Sequence, residues 1–266
     1  MIRAVVWVTF LEGLRNKAVY GITLMAGLMM IFTVLFSSMI MQDVGKVATD
    51  LALSTATFAA LMVVLFVGIN ILARDLERKT VYLALSRAVT RSRYIVARFL
   101  GLALLQGMIM LLLFCASLAT ILFVRKMYPS FFGTVSLQLV ALAHLFIFLQ
   151  MLLLTSLSIL FAMIASSTFV TFLLTTVTWM IGSSTQEVKR LVESGEDLKI
   201  APLTKMIVKV AYYLFPNLAL FDLKTNAAHG IAIDFSHLGF VALYGAGYTV
   251  AVLSLTIIVF RRKELN

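Results

Sequence analysis

The stretch SLQLVALAHLFIFLQMLLLTSLSILFAMIASSTFVTFLLTTVTWMIGS, residues 136–183, decides how this chain folds. Over its 48 residues it contains no Asp, Glu, Lys or Arg. As a single helix it would extend about 70 Å, whereas the hydrocarbon core of a bilayer is about 30 Å thick. The stretch therefore predicts two membrane spans with a corner between them, and the sequence ASST at 165–168 is the expected corner.

The composition indicates an integral membrane protein. Of 266 residues, 62% are hydrophobic and only 13% are charged, and the formal net charge is +10. A soluble domain of this length could not keep so much apolar surface away from water, whereas long uncharged runs are stable in lipid. The single cysteine, Cys115, excludes a disulfide framework or a thiolate metal cluster within one chain.

Uncharged runs of about 20 residues, the length that crosses a bilayer as a helix, recur along the whole chain. They predict an all-α integral membrane protein with six transmembrane helices in a single domain, residues 1–266. The predicted spans are 19–41, 51–73, 99–124, 137–163, 168–183 and 238–260.

Lys and Arg residues in the loops predict the orientation, because they are enriched on the cytoplasmic side. With six spans, both termini and the loop after the second span share one side, which holds 13 Lys and Arg residues. The short loops opposite hold only Lys46, Arg125 and Lys126. Both termini are therefore predicted to be cytoplasmic, in a multi-pass protein of the cell membrane. Five or seven spans would place one basic terminus outside.

The N-terminal residues 2–17 are predicted to form an amphipathic helix that lies on the cytoplasmic membrane surface before the first span. Glu12 and Asn16 are interpreted as lying off its apolar face. That face carries Ala4, Trp7, Val8, Leu11 and Leu14.

The predicted extracytoplasmic segment, 184–237, contains two helical signals. The sequence STQE at 184–187 is a capping-box pattern, which predicts the start of a short helix that ends near Gly195. Apolar residues at helical spacing over 203–214 predict a second, amphipathic helix, which either dips into the outer leaflet or forms a soluble cap.

Several catalytic and binding motifs are missing from the sequence. It has no P-loop, so nucleotide phosphates cannot be bound in that manner, and it has no H-E-x-x-H or G-x-S-x-G motif. We expect neither a cofactor nor catalysis in this chain, and no basic-aromatic pattern supports nucleic-acid binding. The one titratable candidate within the spans is His144, which we interpret as hydrogen-bonded between helices.

The stretch RDLERKTVYLALSRAVTRSRY, residues 74–94, interrupts the apolar sequence and has more order than an orientation signal requires. Asp75 and Lys79 are four residues apart, a spacing that supports a helix. Thr90 can cap a further helix that leads into the third span. The pattern predicts a short cytoplasmic helix against which a partner protein could push; an ordinary positive-inside loop is the alternative.

The longer sequence DLERKTVYLALSRAVTRSRYIVARFLG, residues 75–101, resembles the segment after the second span of ABC-2 type ATP-binding-cassette permeases. Lys79 stands where the family commonly has Gly, and Ala88 where it commonly has Pro. The positions that match the family pattern are Glu77, Thr80, Leu83, Leu85, Ser86, Val89, Thr90, Arg91, Tyr94 and Arg98.

This resemblance implies a permease subunit, most simply of an exporter, that pairs with a second permease chain as a homo- or heterodimer. It also implies two cytoplasmic ATPase subunits, which carry the ATP and magnesium and drive the spans through a coupling helix in region 74–94. The implied ATPase-coupling interface consists of Asp75, Glu77, Arg78, Thr80, Leu83, Ser86, Arg87, Arg91 and Tyr94.

Two other classes of function remain open at this point. One is a membrane subunit that transmits force from an ATPase to another protein without moving a substrate, for example in copper-enzyme maturation. The other is an intramembrane enzyme, for which no catalytic constellation is visible. The residues that could serve a copper-related role on the outer side are Met39, Met41, Met127, His229 and His237, although methionine also fills gaps in helix packing.

Overall fold

The computed structural model describes residues 2–37, 39–40, 43–77, 90–133, 135–165, 167–193 and 215–262. Within these ranges the regular structure is entirely helical and contains no strand. The helices are α1 (Ile2–Leu14), α2 (Lys17–Ser37), α3 (Val44–Met62), α4 (Ile69–Glu77), α5 (Arg91–Met127), α6 (Leu137–Ile164), α7 (Thr168–Glu193), α8 (Lys224–His229) and α9 (Phe235–Arg262). A π-helical segment, Val63–Gly68, joins α3 to α4, and single 3₁₀ turns occur at Pro129–Phe131 and Leu218–Phe221.

Among the described residues, five stretches of helix are long and apolar enough to cross a membrane. They are α2, the continuous run Val44–Ala73, α5, α6 and residues Ser236–Arg262 of α9. Five apolar helices of this length indicate a multi-pass membrane protein. They coincide with the predicted spans 19–41, 51–73, 99–124, 137–163 and 238–260, so these helices are confirmed. The corner is confirmed as well, because α6 ends at Ile164 and α7 begins at Thr168.

Helix α7, which contains the predicted span 168–183, is not among these five. Its apolar residues are interspersed with threonines, which lower its mean hydropathy. The hydroxyls of four of these threonines each donate a hydrogen bond, 2.7–3.2 Å long, to the carbonyl four residues earlier in the chain. The polar groups are therefore satisfied inside the helix. The threonines concerned are Thr171, Thr175, Thr176 and Thr178.

Helix α3 packs closely in the bundle because its buried face consists mainly of small residues. Small side chains let helix backbones approach, which is how helices in lipid associate. At the start of the helix, Gly45 lies so close to the backbone carbonyl of Phe132 that a Cβ atom would clash. At its other end Gln106 of α5 donates a hydrogen bond of 3.2 Å to the Ala60 carbonyl, next to the π-helical segment. The buried alanines are Ala48, Ala52, Ala56, Ala59 and Ala60.

The two ends of the bundle can be told apart by their contacts. At one end, Arg91 at the start of α5 donates a hydrogen bond of 2.7 Å to the Phe260 carbonyl at the end of α9, and α1 packs beside them. At the other end, Gly45 meets the turn after α5. Helices α5 and α6 are antiparallel, since His144 near the start of α6 reaches Ser117 near the end of α5. We call these ends the Arg98 end, after the central residue of the cluster described below, and the Gly45 end.

Two expectations about the helices are corrected. The sequence STQE at 184–187 does not start a helix, because it lies inside the uninterrupted helix α7. The helical cap in this part of the chain is instead Asp234, whose carboxylate accepts hydrogen bonds from the Ser236 N–H (3.0 Å) and hydroxyl (2.7 Å) at the start of α9. The predicted amphipathic helix at 203–214 lies outside the described residues.

Residues 215–234, a described part of the predicted extracytoplasmic segment, are not all peripheral. Leu218 and Phe221 are fully buried, and Gln150 of α6 donates a hydrogen bond of 3.2 Å to the Leu218 carbonyl. The Tyr244 hydroxyl of α9 accepts a hydrogen bond of 3.0 Å from the Asn217 N–H. This segment therefore packs between α6, α7 and α9 and contributes to the interior of the bundle.

Candidate functional site

A buried arginine at the Arg98 end connects α1 to α5. Arg98 is only 7% exposed. Its Nη1 donates to the Thr9 hydroxyl at 2.9 Å and to a carboxylate oxygen of Glu12 at 3.3 Å. Its Nε donates to the Tyr94 hydroxyl at 3.3 Å, and the guanidinium lies 5.6 Å from the centre of the Tyr94 ring. A buried charge requires such partners, because burial without them costs several kcal/mol. We call Thr9, Glu12, Tyr94 and Arg98 the Arg98 cluster.

Two glycines allow α1 and α5 to come close enough for these contacts. A Cβ atom on Gly101 of α5 would lie 2.5 Å from the Thr9 Cβ and 2.9 Å from the Val6 carbonyl oxygen. A Cβ atom on Gly13 of α1 would clash with the Leu105 side chain. The helices therefore meet through small residues, and the buried face of α1 consists of Thr9 and Gly13.

This packing leaves Trp7 and Val8 of the predicted apolar face directed away from the rest of the chain, whereas Leu14 of the same face packs against the core. Trp7 and Val8 are each 57% exposed. Glu12, which was interpreted as lying off that face, is turned towards α5, where it pairs with Arg98. An outward apolar face on α1 is compatible with a helix that contacts lipid.

A second arginine connects the start of α5 to the end of α9. Arg91 donates two hydrogen bonds through Nη1, to the carbonyls of Phe260 (2.7 Å) and Arg261 (3.0 Å). Its guanidinium lies 5.5 Å from the centre of the Phe260 ring. The last carbonyls of a helix have no partner within the helix and carry partial negative charge, so a cation there stabilises the helix end. Tyr94 completes the contact, with its ring 6.3 Å from that of Phe260.

The candidate site residues from the sequence fall into three groups. Arg91 and Tyr94 are described, and their contacts lie within the chain; Tyr94 is only 3% exposed. For Asp75 and Glu77 only the helical backbone of α4 is described. The remaining predicted residues lie outside the described ones, so their role in docking an ATPase stays a prediction: Arg78, Thr80, Leu83, Ser86 and Arg87.

Sequence reasoning missed the cluster itself. Thr9 carried no signal, and Arg98 was counted as one of many basic residues at the membrane surface. Two features could have indicated it. Arg98 follows Tyr94 by four residues and so shares its helix face, and Glu12 is the only acidic residue among the first 40. A lone carboxylate on a helix beside a membrane favours an internal cation as its partner.

His144 has the structural role that was expected of it. Its Nδ1 lies 2.9 Å from the Val140 carbonyl, which can only accept, so this nitrogen carries the proton. Its Nε2 then accepts a hydrogen bond of 3.2 Å from the Ser117 hydroxyl. The ring also meets Phe114 edge-on, with centroids 5.1 Å apart. Both nitrogens are thus occupied: Nδ1 by a contact within α6, and Nε2 by a contact that holds α5 against α6.

A small polar cavity of about 70 Å³ lies where α3, α6, α7 and the segment after Pro216 meet. Gln150 and Ser183 line it, and the ion pair between Asp222 and Lys224, 3.3 Å long, lies at its edge. This volume suits about two water molecules and is too small for a ligand of drug size. Trp179 also lines the cavity, and its buried Nε1 has no hydrogen-bond partner in the described part of the chain.

Of the outer residues considered for copper, Met39, Met127, His229 and His237 are all exposed, whereas Met41 lies outside the described residues. Among the described residues, no three His, Cys, Asp or Glu side chains are grouped so that they could hold a metal ion.

The chain matches no family model and no curated protein. The resemblance of residues 75–101 to ABC-2 permeases therefore stays an expectation from the sequence.

Proposed function

We propose that this chain is the membrane-spanning permease subunit of an ATP-binding-cassette transporter, driven by a separate ATPase through region 74–94. The observation that carries this proposal is the Arg98 cluster together with Arg91. Region 74–94 lies between α4 and α5, and the first turns of α5 are bonded to both α1 and α9. A force applied to the region would reach three helices of the bundle at once.

The lengths of the two helices that flank region 74–94 support the same proposal. The run Val44–Ala73 has 30 residues and α5 has 37. At ~1.5 Å per residue these extend about 45 and 55 Å, longer than a hydrocarbon core of about 30 Å. Both helices are therefore long enough to extend beyond the bilayer. The charged residues at the end of α4 and the start of α5 indicate that these two helix ends lie in water. Such rigid extensions suit the transfer of motion from a soluble partner.

The positions of the helix ends support a sixth crossing by α7. Helix α5 leads from the Arg98 end to the Gly45 end, and α6 leads back. Since α9 ends at the Arg98 end, the chain between 165 and 234 has to return to the Gly45 end. Among the described residues of that interval, α7 is the long helix, with 26 residues, and its threonine hydroxyls are satisfied by its own backbone. Six spans place both termini and region 74–94 on one side, which the positive-inside rule makes cytoplasmic.

In this proposal the chain itself is not the hydrolase. ATP and magnesium belong to two cytoplasmic ATPase subunits, and a second permease chain completes the complex as a homo- or heterodimer in the cell membrane. Export of a substrate fits the resemblance best. The purified chain alone should neither bind nor hydrolyse ATP, since its sequence lacks a P-loop. Saturable nucleotide binding by the isolated chain would contradict the proposal.

The decisive experiment tests docking of an ATPase subunit that is co-expressed from a neighbouring reading frame. Charge reversal at Glu77 or Arg78 should reduce co-purification and the ATPase turnover of the complex, and Leu83→Asp should act more strongly. The matched control reverses Arg261 and Arg262, which are also charged and near the Arg98 end. Scrambling residues 76–86 at constant composition separates the alternatives, because unchanged co-purification would leave the region as an orientation signal only.

A topology experiment tests the six crossings separately. A reporter fused after Asn266 should be active in the cytoplasm, and one inserted near Gly195 should be active outside. If both report the same side, α7 does not cross the membrane and the six-span proposal fails.

A second candidate function is a force-transmitting subunit that moves no substrate itself. It is favoured because large buried polar side chains of the bundle bond to other groups of the chain. His144 is bonded at both nitrogens, and Gln106 and Gln150 each donate to a backbone carbonyl. Transport by the reconstituted complex in proteoliposomes would support the permease, whereas ATP-dependent rearrangement of a bound outer protein without transport would support this alternative.

A further inference from the structure

A groove runs along α1 to the start of α2. Its volume is about 660 Å³, within the roughly 300–1,000 Å³ typical of ligand sites. It is open to the surroundings, and its lining changes from apolar at one end to cationic at the other. The described residues that line it are Val8, Leu11, Glu12, Arg15, Asn16 and Lys17.

The lining carries two uncompensated positive charges. The carboxylate of Glu12 is paired with Arg98 at 3.3 Å, so its charge is neutralised from the other side of α1. Arg15 and Lys17 are exposed, and neither has an acidic partner within 4.0 Å in the part of the chain that the structure describes. Asn16 between them is fixed in place, because its side-chain oxygen accepts a hydrogen bond of 3.0 Å from the Ala18 N–H.

The other half of the groove is apolar and open. Val8 is 57% exposed, Leu11 is half-buried, and Trp7 on the neighbouring position of α1 is 57% exposed. Tryptophan is enriched where a membrane meets water. Since Lys17 is also the first residue of the apolar helix α2, the groove lies where a membrane span begins. That is the level of lipid headgroups.

We propose that this groove is a binding site for one anionic phospholipid. The phosphate lies between the Arg15 guanidinium and the Lys17 ammonium group, and the upper part of one acyl chain covers Val8 and Leu11. The two net positive charges complement an anionic headgroup, whereas a zwitterionic lipid would bring its own cation to the same place. A free phosphate or an acidic peptide would leave the apolar half of the groove in water. This inference rests on the membrane-spanning helices and not on an ATPase partner.

The chain contains a suitable reporter. Trp7 is one of only two tryptophans, and it lies four residues from Leu11 on α1. The other, Trp179, can be replaced by Phe without loss of a hydrogen bond to the described residues, because its Nε1 has no partner among them. In the Trp179→Phe chain, Trp7 fluorescence is followed in phosphatidylcholine vesicles in which a small fraction of lipid is brominated phosphatidylglycerol or brominated phosphatidylcholine with identical acyl chains. Bromine quenches only when it approaches the indole.

We expect Trp7 to be quenched preferentially by the anionic lipid. Each Lys or Arg near an anionic surface changes binding roughly fivefold, so the preference should be about tenfold or more. Arg15→Gln with Lys17→Gln should reduce it to within about twofold. The matched control, Arg261→Gln with Arg262→Gln, removes the same charge from the same end of the bundle outside the groove and should keep most of the preference.

Three results would overturn the proposal. The first is equal quenching by the two lipids in the Trp179→Phe chain. The second is an equal loss in the control variant, which would mean that surface charge alone attracts the lipid. The third is removal of the preference by millimolar inorganic phosphate, which would indicate a phosphate site and not a lipid site. If Trp179→Phe does not fold, native mass spectrometry of the chain with both tryptophans, titrated with the same two lipids, measures the same ratio.

Discussion

Replacement of Arg98 by Met should release α1 from the bundle without unfolding the spans. Methionine retains most of the apolar stem of arginine but removes its hydrogen bonds to Thr9, Glu12 and Tyr94. Breaking a fully buried ion pair costs roughly 3–5 kcal/mol. Because the Glu12 side chain is 30% exposed, part of its charge is solvated after the change. A hydrogen bond to a charged group is worth about 1.5–3 kcal/mol, so we expect a loss near 2 kcal/mol.

Hydrogen exchange of the α1 amides measures this loss directly. In lipid nanodiscs, α1 should open locally about 30-fold more often in Arg98→Met, since each ~1.4 kcal/mol is a factor of ten. The amides of α6, which does not contact the cluster, should be unchanged and serve as an internal reference. Arg125→Met is the matched control, because Arg125 lies 6.0 Å from the centre of the Phe132 ring at the Gly45 end and should leave α1 unaffected.

A double-mutant cycle with Glu12→Gln isolates the ion pair. The single change leaves Arg98 bonded to Thr9 and Tyr94, so its effect should be smaller than that of Arg98→Met. The coupling between the two changes should be about 1 kcal/mol or more, as for residues in one hydrogen-bonded network. Unchanged α1 exchange in Arg98→Met would refute the reasoning and mean that glycine packing alone holds α1. An equal effect of Arg125→Met would refute it as well.

Three further predictions follow from close contacts and a helix cap. Gly101→Ala should raise α1 exchange about tenfold, because its Cβ would lie 2.5 Å from a neighbouring side chain, whereas Gly107→Ala in the same helix, with its nearest neighbour at 3.5 Å, should not. Gly182→Ala should lower the thermal stability of the chain in detergent by about 1–3 kcal/mol, since its Cβ would lie 2.7 Å from the Pro216 carbonyl oxygen. Hydrogen bonds from the Ser236 hydroxyl and N–H hold the pKa of Asp234 below its ordinary range. The amides at the start of α9 should therefore stay protected from hydrogen exchange at pH values above the usual pKa range of Asp. They should lose this protection only as the pH falls through the lowered pKa of Asp234.

The apolar helices were predictable because the preference of long uncharged runs for lipid over water is enough to identify them. A run such as 137–163, without charge and with about 20 or more apolar residues, is stable only as a helix in lipid, whatever its neighbours are. The corner at 165–168 was predictable for the same reason, since one helix over 136–183 would be too long. Helix ends were less accurate: α5 begins at Arg91, eight residues before the predicted span, because the membrane boundary does not end a helix.

The Arg98 cluster and the buried segment could not be predicted in this way, since each depends on a partner distant in sequence. The apolar positions of α1 predicted that Trp7 and Val8 form one face, but the face that packs on α5 is selected by Gly101. Leu218 and Phe221 were assigned to an outer segment because that segment contains charges, yet the space between α6, α7 and α9 buries them. The STQE pattern failed because a capping box marks a helix start only where the preceding residues are not already helical.

Glu12 belongs both to the lipid groove and to the Arg98 cluster. Its replacement should therefore strengthen the binding of anionic lipid and weaken the packing of α1. Glu12→Gln removes the carboxylate that neutralises Arg98 beside the groove, so the local net positive charge rises by one, and it leaves Arg15 and Lys17 unchanged. If the groove attracts an anionic lipid through charge, the preference for brominated phosphatidylglycerol should rise, up to about fivefold. The same substitution loosens α1, because Arg98 loses an acceptor. A fall in lipid preference together with faster α1 exchange would mean that the groove depends on docked α1 and not on its charge, and the electrostatic argument for the site would then be wrong.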